Sequence, residues 1–359
     1  MFFSKRILLP AFTAVLFMQQ GAIQAAEYVD VLDSPAAMSQ LAIKSPLNEV
    51  VAAGDRLVTV GIRGHILYSD DAGKTWQQAK VPVSSDLTSV YFPTPAEGWV
   101  VGHDGVVLHS TDSGASWTKQ LDGVQAGKIM LDYYTALAAT DPANEDYTAL
   151  VDEAQRVVDD GADKPFLGVW FADKQNGYVV GAFGLIFHTA DGGASWTPLN
   201  DKVDNPQGYH LNAITGSGSG QDVTMVSEQG LVMRLDPASG KFVTLTTPFE
   251  GTYFGLQQTS HGLVIYGLSG MGFKSTDGGA SWTKLVLPVD KPLTAAATDA
   301  SGQLYLFDQP GEIMSSIDGG ETFRLRPQAT TAAISSAVAV GNEAMVLVGP
   351  RGVRVFPIE

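Results

Sequence analysis

The chain has 359 residues, 45% of them hydrophobic, enough to build a large core. Its formal net charge of −16 disfavours nucleic acid as a partner and opposes simple electrostatic adhesion to anionic lipid. With no cysteine it has neither disulfides nor thiolate metal sites.

The first residues, MFFSKR, carry Lys5 and Arg6 and lead into an apolar run over 7–18, followed by the small and polar QQGAIQA. This is the pattern of a signal peptide, and its run of about 12 apolar residues falls short of the roughly 20 that a spanning helix needs. Cleavage is expected after Ala25, with an uncleaved anchor as the alternative; loss of Lys5 and Arg6 takes the charge to about −18. No second long apolar run follows, so a periplasmic protein without direct membrane insertion is expected. Next comes YVDVLD (28–33), which has the alternation of a short strand.

From there the chain repeats. Five near copies of one box stand at SDDAGKTW (69–76), STDSGASW (110–117), TADGGASW (189–196), STDGGASW (275–282) and SIDGGETF (316–323). Asp71 and Asp112 are 41 residues apart, as are Asp277 and Asp318, and a degenerate box, LDPASGKF (235–242), puts Asp236 another 41 before Asp277. Each unit holds four short β-rich runs; in the second they are LTSVYF, GWVVG, VVLHS and SWTKQL, separated by Gly, Asp, Ser and Pro. A four-stranded unit of about 41 residues is a propeller blade. Units begin near Pro46, Leu87, Pro165, Gly208, Gly251, Pro292 and Thr330, which predicts an all-β, seven-bladed propeller. The last unit lacks a box and a fourth strand, and the strand at 28–33 is expected to complete it, joining both termini in one sheet.

The box falls at the turn between third and fourth strands. Its Ser, Thr and Asp side chains can bond turn N–H groups and its Gly residues allow positive φ, while the closing aromatic can fill space between blades. A structural role is therefore expected for Asp71, Trp76, Asp112, Trp117, Asp191, Trp196, Asp277, Trp282, Asp318 and Phe323, since no reaction needs one catalytic carboxylate five times around a ring.

Between Asp112 and Asp191 the spacing stretches to 79, leaving an insertion over 122–164. Tyr147, Leu150, Val151, Ala154, Val157 and Val158 have the i, i+3, i+4, i+7 spacing of an amphipathic helix, with a start at Asp141–Pro142 and a stop at Gly161. An earlier run over 128–139, with Tyr133 and Tyr134, also reads helical. A helical hairpin between blades two and three is predicted. It joins the end of one blade to the start of the next, so it emerges on the face that carries the turns between second and third strands. Those turns, GIRG, GHDG, GAFG, SEQG, GLSG, DQPG and GPRG, vary in their middle residues on a constant scaffold, which is where a binding site is expected. Ring closure sets Arg351 of blade seven beside Arg63 of blade one, with His103 and Asp104 of blade two next in line. These four, with Tyr133, Tyr134 and Tyr147 of the hairpin, are the candidate partner-binding residues. The six histidines show no short ligand spacing, and neither a metal nor a cofactor is expected.

The boxes identify the chain as similar to the Asp-box (BNR) repeat proteins, which include sialidases and other glycosidases. The early Arg-Ile/Leu-Pro motif of that activity has no counterpart here; the nearest string, RLRP (324–327), is late and of another form. Over whole blades, VGIRGHILYSDDAGKTW, GWVVGHDGVVLHSTDSGASW and KPFLGVWFADKQNGYVVGAFGLIFHTADGGASW resemble the photosystem II stability/assembly factor family. That resemblance implies a seven-bladed, non-enzymatic, exported propeller that helps to assemble a membrane protein complex: a photosystem or, since the family has relatives in non-photosynthetic bacteria, an envelope transporter or export system. A carbohydrate-active or sugar-binding propeller is the alternative. The chain departs from the photosynthetic members in its acidic charge and in its insertion.

Overall fold

The computed structural model describes residues 29–328 and 331–358; the expected signal peptide and Tyr28 lie outside them. Seven antiparallel sheets follow one another along the chain, each in simple up-and-down order. Their first strands are Leu47–Ala53, Leu87–Tyr91, Phe166–Phe171, Leu211–Thr215, Tyr253–Thr259, Leu293–Thr298 and Ser336–Val340, and each of these touches the next around a closed ring. The fold is a seven-bladed β-propeller of mostly four-stranded sheets with two helices inserted after blade two.

The second strand of each blade is the most deeply buried: all five residues of Gly98–Gly102 and of Leu304–Asp308 are buried. Apolar side chains on both faces of a blade fill the gaps to its two neighbours, so the core is divided among the seams. Between blades two and three, Trp99 stacks on Phe171 with centroids 3.7 Å apart, and Trp196 meets Phe171 edge-on.

Polar latches tie the inner strands together. The second residue of a first strand donates to the carbonyl that opens the next blade: Asn48 to Leu87 at 2.6 Å, Thr88 to Phe166 at 2.7 Å, Asn212 to Tyr253 at 2.9 Å and Thr294 to Ile334 at 2.7 Å. One residue further on, side chains accept from the following blade: Val90 N–H donates to Glu49 Oε2 at 2.6 Å and Val50 N–H to Ser336 Oγ at 3.3 Å. Burial pushes the Glu49 carboxyl up from its ordinary value, and the bonds from Ser89 and Val90 only partly offset this.

Ring closure departs from the expectation drawn from 28–33. Residues 31–33 form a turn rather than a strand, and blade seven has three strands among the described residues, Ser336–Val340, Ala344–Gly349 and Gly352–Pro357. The competing contacts lie at blades one and two. Leu32 is buried in the seam between them, Val31 C=O accepts from Ser84 N–H at 2.8 Å, and Lys119 Nζ reaches Leu32 C=O at 3.0 Å. The ring closes instead by packing blade one directly on blade seven, with Leu47, Val50 and Leu57 against Val346 and Val348.

All five full boxes have one geometry. In the fourth, Gly279 N–H donates to Ser275 Oγ at 2.7 Å, Ser281 N–H to Asp277 Oδ1 at 2.9 Å, and Ser281 Oγ–H to Asp277 Oδ2 at 2.6 Å. The degenerate box is a different turn: Asp236 ends one strand, accepts from Ala238 N–H and Ser239 Oγ–H, and leads straight into Lys241–Leu245.

The insertion is two antiparallel helices, α1 (Gly123–Thr140) and α2 (Glu145–Asp160). α1 begins five residues before the expected 128 because Asp122 and Gln125 make a reciprocal capping box at 3.0 and 3.1 Å. Its two glycines hide the helical pattern there: Gly123 packs on the turn at Gly105, and Gly127 lets α2 approach at Val157 and Val158. α2 starts later than the expected Asp141–Pro142, which forms the link between the helices. Asn144 is the cap, with Glu145 and Asp146 favourably placed in the first turn.

Candidate functional site

The turns between second and third strands share one face of the ring. In blades one, two, three and five they are single 3-10 turns whose middle residue is left-handed: Arg63 at φ 58°, Asp104 at 59°, Phe183 at 56° and Ser269 at 57°. A non-glycine residue there costs roughly 1–2 kcal/mol. The following glycine cannot be replaced cheaply, because a Cβ on Gly64 would overlap the Val83 carbonyl and one on Gly105 would overlap Gly123.

Backbone contacts place the four expected turn residues in sequence around the ring. Gly352 abuts the Ile43 carbonyl, which sets the Arg351 turn against Ile43 and Lys44. Ser45 Oγ lies 3.1 Å from His65 Nδ1, and Gly61 abuts Pro46, so the same short segment leads on to the Arg63 turn. Asp86 then links blades one and two: its Oδ1 accepts from Arg63 N–H at 2.7 Å and its carbonyl from His103 N–H at 2.8 Å. The His103–Gly105 turn in turn supports Gly123, the first residue of α1.

Three cations therefore follow one another across the seam of blades seven and one: Arg351, Lys44 and Arg63, all exposed. Among the described residues none of them is in an ion pair. Burial holds the nearby His65 below its ordinary value; Arg63 adds to this and Asp86 opposes it.

The hairpin contributes differently from the expectation. Tyr134 is not a surface contact: it is fully buried, its hydroxyl donates to Asn200 Oδ1 at 3.1 Å and accepts from Asn200 N–H at 2.8 Å, and Asn200 reaches on to Gly184 C=O. A tyrosine in a helix-forming run reads alike whether it faces a partner or the protein's own next blade. Tyr134 thus anchors α1 to blade three, and burial pushes its phenol far up. Tyr133 is half-buried and packs edge-on against it at 5.2 Å; Tyr147 on α2 is half-buried as well.

Two residues of this face escaped the sequence reading. Lys44 gives no periodic signal; its place between the two arginine turns exists only in the folded ring. Phe183 could have been found, since a large apolar side chain in the middle of GAFG is unusual turn chemistry. It is 53% exposed, with the His210 ring at 4.9 Å and the Lys164 ammonium 5.8 Å from its centroid. Lys164 is itself buried between Asp160 at 2.8 Å and Asp163 at 3.0 Å, and His210 Nδ1 lies 3.1 Å from Glu228. Leu268 and Phe254 of blade five are each 40% exposed. The face thus combines a cationic seam at blades seven and one with exposed apolar side chains on blades three and five, a pairing suited to a polypeptide that carries acidic and apolar groups.

Among the described residues no group of three or more His, Asp or Glu side chains is arranged to hold a metal, and no helix is long and apolar enough to cross a membrane.

Comparison with known proteins agrees with this architecture. The profile of the family described as photosynthesis system II assembly factor YCF48 matches residues 38–131 and 147–242, more than half of the chain. The photosystem II assembly protein Ycf48 of Synechococcus sp. (strain JA-2-3B'a(2-13)) is 26% identical over 161 residues, 39% of this chain and 44% of that protein. The photosystem II assembly lipoprotein Ycf48 of Synechococcus sp. (strain CC9902) is 23% identical over 197 residues, 55% of this chain and 47% of that one. The chain thus spans less than half the length of these two curated relatives. A solved structure described as YCF48 bound to D1 peptide is similar in fold, with a TM-score of 0.64 at 17% identity over 88% of this chain and 94% of that one. The chain belongs to the YCF48 family of photosystem II assembly factors.

Proposed function

We propose that this protein is an exported, non-enzymatic assembly or stability factor that holds a segment of a membrane protein complex against its turn face. The observation that carries the reading is the run of Arg351, Lys44 and Arg63, three exposed cations without ion pairs among the described residues, on a chain of net charge −16. Family membership supports the class of function, and the bound D1 peptide of the YCF48 structure supports a polypeptide client. The client here is a photosystem subunit or a subunit of an envelope transporter or export system. The profile's two matches are separated by residues 132–146, which hold the end of α1, the link and the start of α2, and client choice is expected to depend on this hairpin tip. Export is supported by the leader over residues 1–25 and by relatives named as a lipoprotein and as a chloroplastic factor. The box carboxylates are engaged in their own turns, which favours a scaffold over a hydrolase.

The test is photo-crosslinking in the intact envelope from a probe at His103, with partners identified by mass spectrometry. A membrane-complex subunit is expected, lost in Arg63→Glu/Arg351→Glu while thermal stability is kept. Phe183→Gly should also weaken capture, and it relieves the left-handed strain rather than adding any. Capture that survives both variants, or turnover of sialosides or β-glucans by the purified protein, would overturn the proposal.

A further inference from the structure

Blade seven ends one strand short of the other six, leaving Gly352–Pro357 as an outer edge among the described residues. Its register pairs Gly349 with Gly352 and Met345 with Phe356, and Ile358 N–H donates to Glu343 C=O at 2.8 Å. In an antiparallel ladder the N–H and C=O of one residue point to the same side, and the side alternates along the strand. Residues 352, 354, 356 and 358 therefore direct theirs inward to the neighbouring strand. Val353 and Val355 direct theirs outward, and Pro357 offers only a carbonyl. Among the described residues nothing bonds to these outward groups.

Natural edges are usually kept short, charged or covered, because an open row of backbone groups recruits another strand. This one spans six residues, and Val355 on it is 52% exposed. Its surroundings are basic. Arg351 and Arg354 belong to the strand and its turn. Arg324 and Arg326 lie on blade six's outer strand, Arg324–Arg326, which Arg326 ties to the edge through the Ile358 carbonyl. These are four of the nine arginines of an acidic chain; Arg326 and Arg354 have further partners of their own, whereas Arg324 and Arg351 are exposed. Leu325, beside them, is 47% exposed.

We propose that this edge accepts an extended acidic segment of a client protein as the fourth strand of blade seven. Main-chain bonds to Val353 and Val355 supply the pairing, and the exposed Arg324 and Arg351 select glutamate or aspartate in the added strand. A second copy of this chain is the poorer occupant, since pairing edge to edge sets arginines against arginines. The chain's own residues 31–36 are engaged at Ser84 and Val81. The inference goes beyond the turn-face reading and does not depend on it, because the binding is measured with a synthetic probe.

The experiment titrates the purified protein into a fluorescent eight-residue peptide alternating valine and glutamate and follows its anisotropy. Saturable binding is expected, at least tenfold tighter than for a valine–lysine peptide and weakened at least tenfold by N-methylation of alternate peptide nitrogens. Val355→Pro removes one outward N–H and is expected to weaken binding by a similar factor with its melting curve little changed. If that variant does not fold, the N-methylated peptide decides the matter alone. Equal binding of the lysine peptide, or indifference to N-methylation, would overturn the proposal. So would a concentration-dependent dimer that competes with the peptide, which would place a second copy on the edge.

Discussion

Each full box bonds its aspartate through the hydroxyl and the N–H of the residue four places on, and this decides how the protein meets acid. Those bonds hold Asp71, Asp191 and Asp277 at about 2, and Asp318 lower still. A carboxyl depressed in the folded state stabilises fully above its unfolded value, near 3.9, and loses that contribution as pH falls through the folded value. Melting temperature should therefore be flat down to about pH 5 and fall steeply between about pH 4 and 2. Asp277→Asn keeps the shape and one acceptor but loses the charge. It should lower the melting temperature at pH 7 and shrink its fall between pH 4 and 2; a variant with the wild-type pH slope would contradict this account. The role of these residues was legible because it is local, with every partner inside an eight-residue string that occurs five times. Lys44 and Phe183 lacked that help. A lone lysine in the short segment before Pro46 acquires meaning only when Gly352, some 300 residues later, packs on it.

Among the elements, the hairpin shows how far periodicity carries. The apolar spacing of α2 was legible because one face of the helix is buried, at Ala154 and Val157. The start of α1 was not, because Gly123 and Gly127 are chosen for close approach to Gly105 and to α2 rather than for helix propensity. Nor could periodicity say which tyrosine faces inward. Tyr134→Phe tests that placement: it preserves the packing and removes the hydroxyl that Asn200 brackets, leaving the half-buried Asn200 N–H and side-chain carbonyl each short of a partner. A loss of about 1–3 kcal/mol is expected in denaturant unfolding, against little or none for Tyr147→Phe. Equal effects of the two substitutions would mean that the hairpin is not seated on blade three through Tyr134. The latches at Asn48, Thr88, Asn212 and Thr294 were equally hidden. They occupy one position of the repeat, yet blades three and five have Leu167 and Phe254 there, so no shared letter marks it.

At the scale of the ring, seven blades could be counted from the box period, whereas the mode of closure could not. Strand pairing between distant segments depends on which apolar surface offers more, and the N-terminal segment finds it between blades one and two, where Leu32 is 7% exposed. Closure then rests on direct packing of Leu47, Val50 and Leu57 against Val346 and Val348. The two ends of the chain should consequently differ under truncation. A variant beginning at Met38 loses Leu32, worth roughly 1.5–3 kcal/mol of burial, and its bonds to blades one and two. It should still unfold in one transition, with the melting temperature lowered by less than about 10 °C. A variant ending at Val340 loses Val346 and Val348 from the blade-one seam and Met345 and Leu347 from the blade-six seam together. It should lose cooperative unfolding and expand in small-angle scattering, because a ring whose last blade cannot pack on its first has two open ends instead of none. Equal damage from both truncations would instead mean that residues 29–37 are part of the closure.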